Sequence, residues 1–314
     1  MEKKPLISII IPVYNVEKYI RRCLESLFLN SIIDKCEIII VNDCSTDNSL
    51  SVIKDFLTEI KNLENIKVYT HDYNRGSAAT RNTALKQAQG KYIICVDSDD
   101  YVEDDYLESL YNKAEETNAD IVGCDYFRES KDLFEKCENQ LNENPVQVIK
   151  NIISGKRNAY LWLILVKRDL FTKNNITWTE GLDITEDLLI CSRLFLKAKK
   201  ISYLPKALYH YNLQNQSSLT ASLNEKKVNQ IIGVCQLLEK ELGLEYLDAL
   251  NQRKAFSKIW ILCNTEKLRN EYFSLWNEER LYKIPEISIR KRIILFLCNI
   301  GFIKLVKLII KIFK

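Results

Sequence analysis

The ten residues from Lys91 to Asp100 read KYIICVDSDD. Tyr92 to Val96 is a short apolar run without polar alternation, which predicts a strand buried on both faces. Asp97-Ser98-Asp99-Asp100 follows it directly. In an open α/β sheet the ligand sits beyond the carboxyl ends of the strands. The acidic cluster therefore falls where such a sheet would meet its ligand.

The flanking sequence supports that sheet. Leu6 to Val13, Glu37 to Val41, Ile66 to Thr70 and Ala119 to Cys124 are further apolar, strand-like runs. Helical patterns separate them. Asn15 is placed to cap a helix carrying Ile20, Leu24 and Leu27, and Ser45 to Ile60 carries Leu50, Ile53 and Leu57 on one face. Ser77 to Gln89 is a helix closed by Gly90, and Asp104 to Thr117 is another. Repeated βα units predict an α/β fold with a mostly parallel central sheet. Polar clusters at Tyr14-Asn15 and Asn42-Asp43 fall at the same ends of their strands as Asp97 to Asp100. Residues 130–155 carry no clear pattern, and Tyr160 to Phe171 reads as helix or strand. Glu186 to Ala198 and residues 222–282 read as helical. A loose boundary lies at Asn215 to Leu223, where Asn, Gln and Ser accumulate.

Composition narrows the class. With 314 residues, 46% hydrophobic and 28% charged, the chain can bury a large core, which excludes disordered, collagen-like and low-complexity classes. A net charge of +3 excludes a nucleic-acid binder with a broad basic face. None of the ten cysteines forms a C-x-x-C pair, so a zinc ribbon or thioredoxin-type site is not expected. Cysteines inside apolar runs, such as Cys95, read as small buried hydrophobes of a reducing compartment. The opening MEKKPLISIIIPVYN has no small-residue cleavage site and runs straight into a strand pattern, unlike a signal peptide.

Each polar cluster admits two readings on its own. Asp97 and Asp99, one residue apart at a strand end, can share a hard cation such as Mg²⁺ or Mn²⁺, or can be acids favoured at a helix start. Asp43 can accept from a base or ribose, or belong to a plain turn. Arg81, about one turn inside a helix, can reach a phosphate or lie on the surface. Glu186 and Asp187 open an apolar helix as caps, or one of them is a general base. His71 and His210 read as structural or solvent-exposed. No G-x-G-x-x-G, Walker A, G-x-S-x-G or H-E-x-x-H motif competes.

In sequence order the clusters are SIIIPVYN (Ser8 to Asn15), EIIIVNDCSTDNS (Glu37 to Ser49), NRGSAATRN (Asn74 to Asn82), VDSDD (Val96 to Asp100) and TEDLL (Thr185 to Leu189). This series resembles family 2 glycosyltransferases of the GT-A fold, of the bacterial surface-glycan type. The likeness extends to about residue 190. Leu208 to Thr220 is similar to the family's donor-covering region.

The resemblance implies a set of roles. Pro12, Val13 and Tyr14 would line the nucleotide base, and Asp43 would bind it. Arg81 would contact the donor. Asp97 would meet ribose or metal, and Asp99 the metal, Mn²⁺ or Mg²⁺. Asp187 would deprotonate the acceptor hydroxyl, with Glu186 as its rival. The implied activity is inverting, metal-dependent transfer of a hexose-type sugar from a nucleotide-diphosphate donor, most often UDP. The implied acceptor is a glycan or lipid-linked hydroxyl in surface polysaccharide synthesis. The chain departs from the family at Asn42 and Cys44, where Asp and Gly are usual, and at Thr80 and Ala84, where Ala and Gly are usual. A catalytically silent nucleotide-sugar-binding scaffold is the alternative. A nucleotidyltransferase would need a Gly-rich phosphate loop where this chain has PVYN.

The expected organisation is a GT-A catalytic domain over 1–220, a helical extension over 221–286 and a basic amphipathic helix over 287–314. From Ile287 to the end there are seven basic residues and no acid, leaving 38 basic against 42 acidic residues in the rest. Ile293 to Ile303 is too short to span a bilayer, which takes roughly 20 apolar residues. Lys304, Lys307 and Lys311 recur at helical spacing opposite Leu305, Ile309 and Ile312, with Gly301 as a break. That pattern suits an interfacial helix on an anionic membrane, or a helix docked on the core with snorkelling lysines. The expected location is the cytoplasm, peripheral on the inner face of the cytoplasmic membrane. No nucleic-acid partner is expected.

Overall fold

The computed structural model describes residues 4–60, 64–141, 144–215, 223–265 and 269–313. The chain divides into two compact units. The first comprises residues 1–148, 159–183 and 190–216, and the second residues 149–158, 184–189 and 217–314.

Among the described residues the first unit is built on one sheet of nine strands. The isoleucine-rich runs form β1 (Ile7–Val13), β2 (Glu37–Asn42), β3 (Ile66–Thr70) and β4 (Tyr92–Cys95). Helices α1 (Ile20–Phe28), α2 (Ser49–Glu59) and α3 (Ser77–Gln87) connect them. These four strands pair in parallel, as the βα alternation predicts. Beyond β4 come β5 (Tyr101–Val102), α4 (Tyr106–Thr117), β6 (Ile121–Ser130), β7 (Leu133–Cys137) and α5 (Pro145–Ser154). They are followed by β8 (Ile164–Lys167), α6 (Arg168–Asn174), α7 (Glu186–Lys197) and β9 (Ile201–Asn212).

The spatial order is β3-β2-β1-β4-β8-β6-β9-β5, with β7 on β6. In this second half only β6 and β9 run parallel, while β8 against β4 and β6, β7 against β6 and β5 against β9 are antiparallel. The sheet is therefore mixed, and parallel only where crossover helices connect its strands. Residues 160–171 hold a turn of 3-10 helix, then β8, then the start of α6, so the ambiguous apolar run contains both element types.

The core packs Ile7, Ile9, Ile11, Ile38, Ile40, Tyr92 and Ile94 against α1 and α4 residues such as Leu24, Leu27, Tyr106 and Leu110. One ionised group lies inside it. Glu37, 2% exposed, accepts from Ser8 Oγ (2.7 Å), Gln89 N (2.6 Å) and Gly90 N (3.0 Å) on Oε1, and from Lys67 Nζ (3.1 Å) on Oε2. Burial raises its proton affinity, but these donors prevail and hold the carboxyl below its ordinary value. Gly90 is required here, since a Cβ would lie 2.5 Å from Ser8 N.

The second unit is helical. Its long helices are α8 (Glu225–Glu241) and α9 (Leu247–Asn264), followed by α10 (Glu271–Ser274), α11 (Ile289–Asn299) and α12 (Ile303–Phe313). Gly301, at φ +80°, separates the last two, as its position in the sequence predicts. Its core joins Ile231, Ile261, Leu262, Phe273, Leu295 and Val306. Asp187 and Glu186 go with this unit, although α7 continues into the first. Most of the expected boundary at 215–223, and the donor-covering region beyond residue 215, lie outside the described residues.

Candidate active site

Strand register brings the polar clusters together. Val13 pairs with Asn42, Asn42 with Thr70, and Ile10 with Cys95. Tyr14, Asp43, His71 and Asp97 therefore leave the sheet at one edge, the carboxyl end of its parallel strands.

At the β1–β2 end the backbone turns tightly. Asp43 N donates to Val13 O (2.8 Å) and His71 N to Asn42 O (2.9 Å). Asn15 does not cap α1. Its Oδ1 accepts from Thr46 N at 2.8 Å, its own φ is +52°, and α1 begins at Ile20. Cys44 takes φ +56°, a conformation that a glycine there would adopt without strain. Pro12 and Val13 sit at the end of β1, and Tyr14 is 48% exposed beside them.

Asp43 is 3% exposed and almost fully engaged. Its Oδ1 accepts from Arg75 N (2.9 Å) and from His71 Nδ1 (2.6 Å), and its Oδ2 from Gly76 N (2.8 Å). His71 Nε2 bonds Thr83 Oγ1 at 2.9 Å. His71 thus joins Asp43 to α3. The sequence reads His71 as structural or solvent-exposed; it is buried and follows β3 at the same sheet edge as the other clusters. Gly76 takes φ +88°, and an added Cβ would lie 2.3 Å from Asp183 Oδ1. Asp183 was also not singled out. Its Oδ1 lies 3.4 Å from Ala78 N, at the start of α3.

The acidic turn is held from three sides. Arg81, 6% exposed, places Nη2 2.9 Å from Asp97 Oδ1. Tyr209 Oη accepts from Asp97 N (3.1 Å) and donates to Asp100 Oδ2 (2.8 Å). Asn212 donates through N to Asp100 Oδ1 (2.8 Å) and through Nδ2 to Asp99 O (3.0 Å), and Asn215 Nδ2 donates to Asp99 Oδ2 (2.9 Å). Burial, then the charge of Asp97, pushes the Asp99 carboxyl up. Burial, then Asp99 and Asp97, pushes Asp100 well up. Asp99 and Asp97 are thus two crowded acids whose mutual repulsion a divalent cation would relieve, and their oxygens are ligands of the hard type. The donor set fits such an ion. Among the described residues no cluster of three or more His, Cys, Asp or Glu is arranged around a metal position. The rest of a coordination sphere would have to come from water and substrate.

Glu186 and Asp187 are half-buried in the first turn of α7, after Thr185 at φ +61°. His210, buried on β9, bonds Glu129 through Nδ1 and Glu103 through Nε2, both at 2.7 Å, and stacks on Tyr101. Of the two readings that its sequence leaves open, structural or solvent-exposed, burial removes the second.

Residues 8–172 match the profile of glycosyl transferase family 2, more than half of the chain. The chain belongs to that family. It is 35% identical over 223 residues to the uncharacterized glycosyltransferase EpsJ of Bacillus subtilis (strain 168), covering 69% of this chain and 63% of EpsJ. Among solved structures it superposes on S. aureus TarS 1-349 in complex with UDP-GlcNAc, with TM-score 0.75, 22% identity, and 97% of this chain and 90% of that one covered. It also superposes on the mannosyltransferase PcManGT of Pyrobaculum calidifontis in complex with GDP-Man and Mn2+, at TM-score 0.55 and 14% identity. The fold is GT-A with C-terminal helices. The chain spans just under two thirds of the length of the first curated relatives it matches.

Proposed function

We propose that the protein is an inverting glycosyltransferase that moves a sugar from a UDP-sugar to a hydroxyl of a glycan or lipid-linked acceptor in surface polysaccharide synthesis. The observation that carries this is the convergence of Asp43, Arg81, Asp97 and Asp99 at one sheet edge. Family membership and the UDP-GlcNAc bound to TarS support it.

Asp43 supplies a base preference. A carboxylate offers about four acceptor positions. Three are taken, by His71, Arg75 N and Gly76 N. The remaining one suits a ring N–H donor, which uracil, thymine and guanine carry and cytosine and adenine do not. Tyr14, half exposed at the same edge, offers a ring face for that base.

Asp97 and Asp99 would hold Mn²⁺ or Mg²⁺. Such an ion supplies charge stabilisation to a diphosphate leaving group. Arg81 brings a second fixed positive charge to the same place. Asp187, or failing it Glu186, takes the proton of the acceptor hydroxyl. The acceptor oxygen forms its bond to the anomeric carbon as the bond to the diphosphate oxygen breaks. One base and one good leaving group suffice for this single displacement.

A cytoplasmic location follows from the donor class and agrees with ten free cysteines. Peripheral contact of the C-terminal helix with the inner membrane face would bring lipid-linked acceptors to the enzyme.

The test is thermal-shift binding of UDP, GDP, CDP and dTDP, with and without Mn²⁺, on wild type and Asp99→Ala. A metal-dependent shift for UDP that is lost in the variant is expected. No shift with any nucleotide in folded protein would defeat the reading and favour a silent scaffold.

A further inference from the structure

The last two helices carry a surface feature outside the donor site. Each is docked by one face. Helix α11 buries Ile294, Leu295 and Cys298, and α12 buries Val306 and Ile310. Each also leaves large apolar side chains in solvent. Along α11 and the residue after it, Ile289, Ile293, Phe296 and Ile300 follow at steps of four, three and four, one stripe of a helix. From the residue before α12 into the helix, Phe302, Leu305 and Leu308 follow at steps of three. They are 42% to 73% exposed. Seven of the 17 exposed large hydrophobics among the described residues thus fall within residues 289–308. Scattered single exposures need no explanation, but such a concentration marks an interaction surface.

The polar positions around the stripes carry one sign only. Arg290, Lys291, Lys304 and Lys311 are exposed, and no Asp or Glu occurs from Ile287 to the end of the chain. Lys307 differs from its neighbours, because its Nζ lies 3.3 Å from Asn270 Oδ1 and over the Phe273 ring. Leu305, expected on the face opposite the lysines, is exposed beside them. Docking on the core and an outward apolar face, posed as alternatives by the sequence, coexist in α12. The side chain of Ile312 lies outside the described residues.

We propose that α11 and α12 together form a peripheral membrane-binding surface for anionic phospholipid. Phe296, Phe302 and Leu305 enter the acyl boundary, and Lys304 and Lys311 meet the headgroups. Apolar stripes on helices whose own charged residues are all cations are complementary to a layer with an apolar interior and an anionic rim. A second copy of this chain would set cations against cations, which opposes pairing through the same face. No described helix is long and apolar enough to cross a membrane, so the contact is interfacial. The proposal rests on the membrane contact already read for residues 287–314 and deepens it, naming α11 and α12 as the contact and anionic phospholipid as the partner; it depends on no property of the donor site.

The experiment is co-sedimentation of the full chain with phosphatidylglycerol/phosphatidylcholine vesicles and with pure phosphatidylcholine vesicles. Binding to the anionic vesicles is expected, weakened by salt. Lys304→Glu/Lys311→Glu should weaken it at least about tenfold. Phe296→Ser/Phe302→Ser/Leu305→Ser should abolish it. All five positions are exposed, and an unchanged unfolding temperature would verify that the variants fold. The proposal fails if wild type ignores anionic vesicles at low salt, or if both variants bind like wild type. It also fails if sedimentation velocity shows a dimer that the triple serine variant converts to monomer, which would assign the face to a second copy.

Discussion

Arg81 Nη2 lies 2.9 Å from Asp97 Oδ1, so a nearly buried guanidinium rests on the first carboxylate of the acidic turn. The pair joins α3 to the end of β4. It offsets charge where Asp97, Asp99 and Asp100 crowd together. Arg81→Ala should therefore lower kcat/KM for the UDP-sugar roughly thirtyfold, or about 2 kcal/mol, the range for losing a charged hydrogen bond. Arg81→Lys should recover only part, because a single ammonium cannot reproduce the guanidinium fork. Steady-state kinetics with donor varied at saturating acceptor would measure both.

Asp99 makes a pH prediction with a definite sign. Burial and Asp97 raise its proton affinity in the folded state above that of the unfolded chain. The stability linked to that proton is complete below the ordinary carboxylate value and is lost as pH rises through the raised one. Asp99→Asn removes the repelled charge. Near neutral pH it should raise the unfolding temperature of the metal-free protein by roughly 2 °C, on the order of 1 kcal/mol, and the gain should shrink towards a pH of about 4. The same variant should lose the Mn²⁺-dependent part of UDP binding. Calorimetric melting across pH, followed by titration with UDP, covers both outcomes.

Gly76→Ala should damage the loop whose amides hold Asp43. The position needs φ +88°, and the new methyl group would press on the Asp183 carboxyl. The strain is about 2 kcal/mol, and it falls on the segment whose amides bind Asp43. Weaker UDP binding with a lowered denaturation midpoint is expected. A variant that melts and binds like wild type would show that the loop relaxes freely.

The identity of the base is open to a paired comparison. Asp187→Asn should reduce kcat by a factor of about 10² to 10⁴ and leave UDP binding unchanged. Glu186→Gln should lose much less. The reverse order would transfer the role to Glu186.

Much of the first unit could be read directly. The isoleucine runs and their turn residues placed β1 to β4 and the helices between them, and the clusters around Asp43, Arg81 and Asp97 came to one edge because parallel strands end on the same side. Strand β9 was harder to see. Its sequence ISYLPKALYHYN carries Pro205 and Lys206 mid-run, which argues against a strand. The structure accommodates them at a register shift, where pairing passes from Cys124–Leu204 to Asp125–Ala207 and leaves both without a partner on β6. Tyr209, Asn212 and Asn215 consequently went unnoticed as supports of the acidic turn. His71 was missed for a related reason, since only the tertiary fold shows that the residue after β3 faces the residue after β2.

The buried Glu37 has a further consequence for how the chain finds its fold. Strands β1, β2 and β4 read ISIIIPV, EIIIVN and YIIC, so apolar packing alone scarcely distinguishes one alignment from the next. Sliding β2 by one position against β1 would still set isoleucine on isoleucine at the centre, Ile38 and Ile39 on Ile10 and Ile11, or Ile39 and Ile40 on Ile9 and Ile10. It would also carry the Glu37 carboxylate away from Ser8, Gln89 and Gly90 and strand a charge in hydrocarbon. One acid at the rim far from the ligand edge thus acts as an index mark. It selects a single alignment of three nearly uniform strands, and with it the coincidence of Asp43 and Asp97 at the opposite rim.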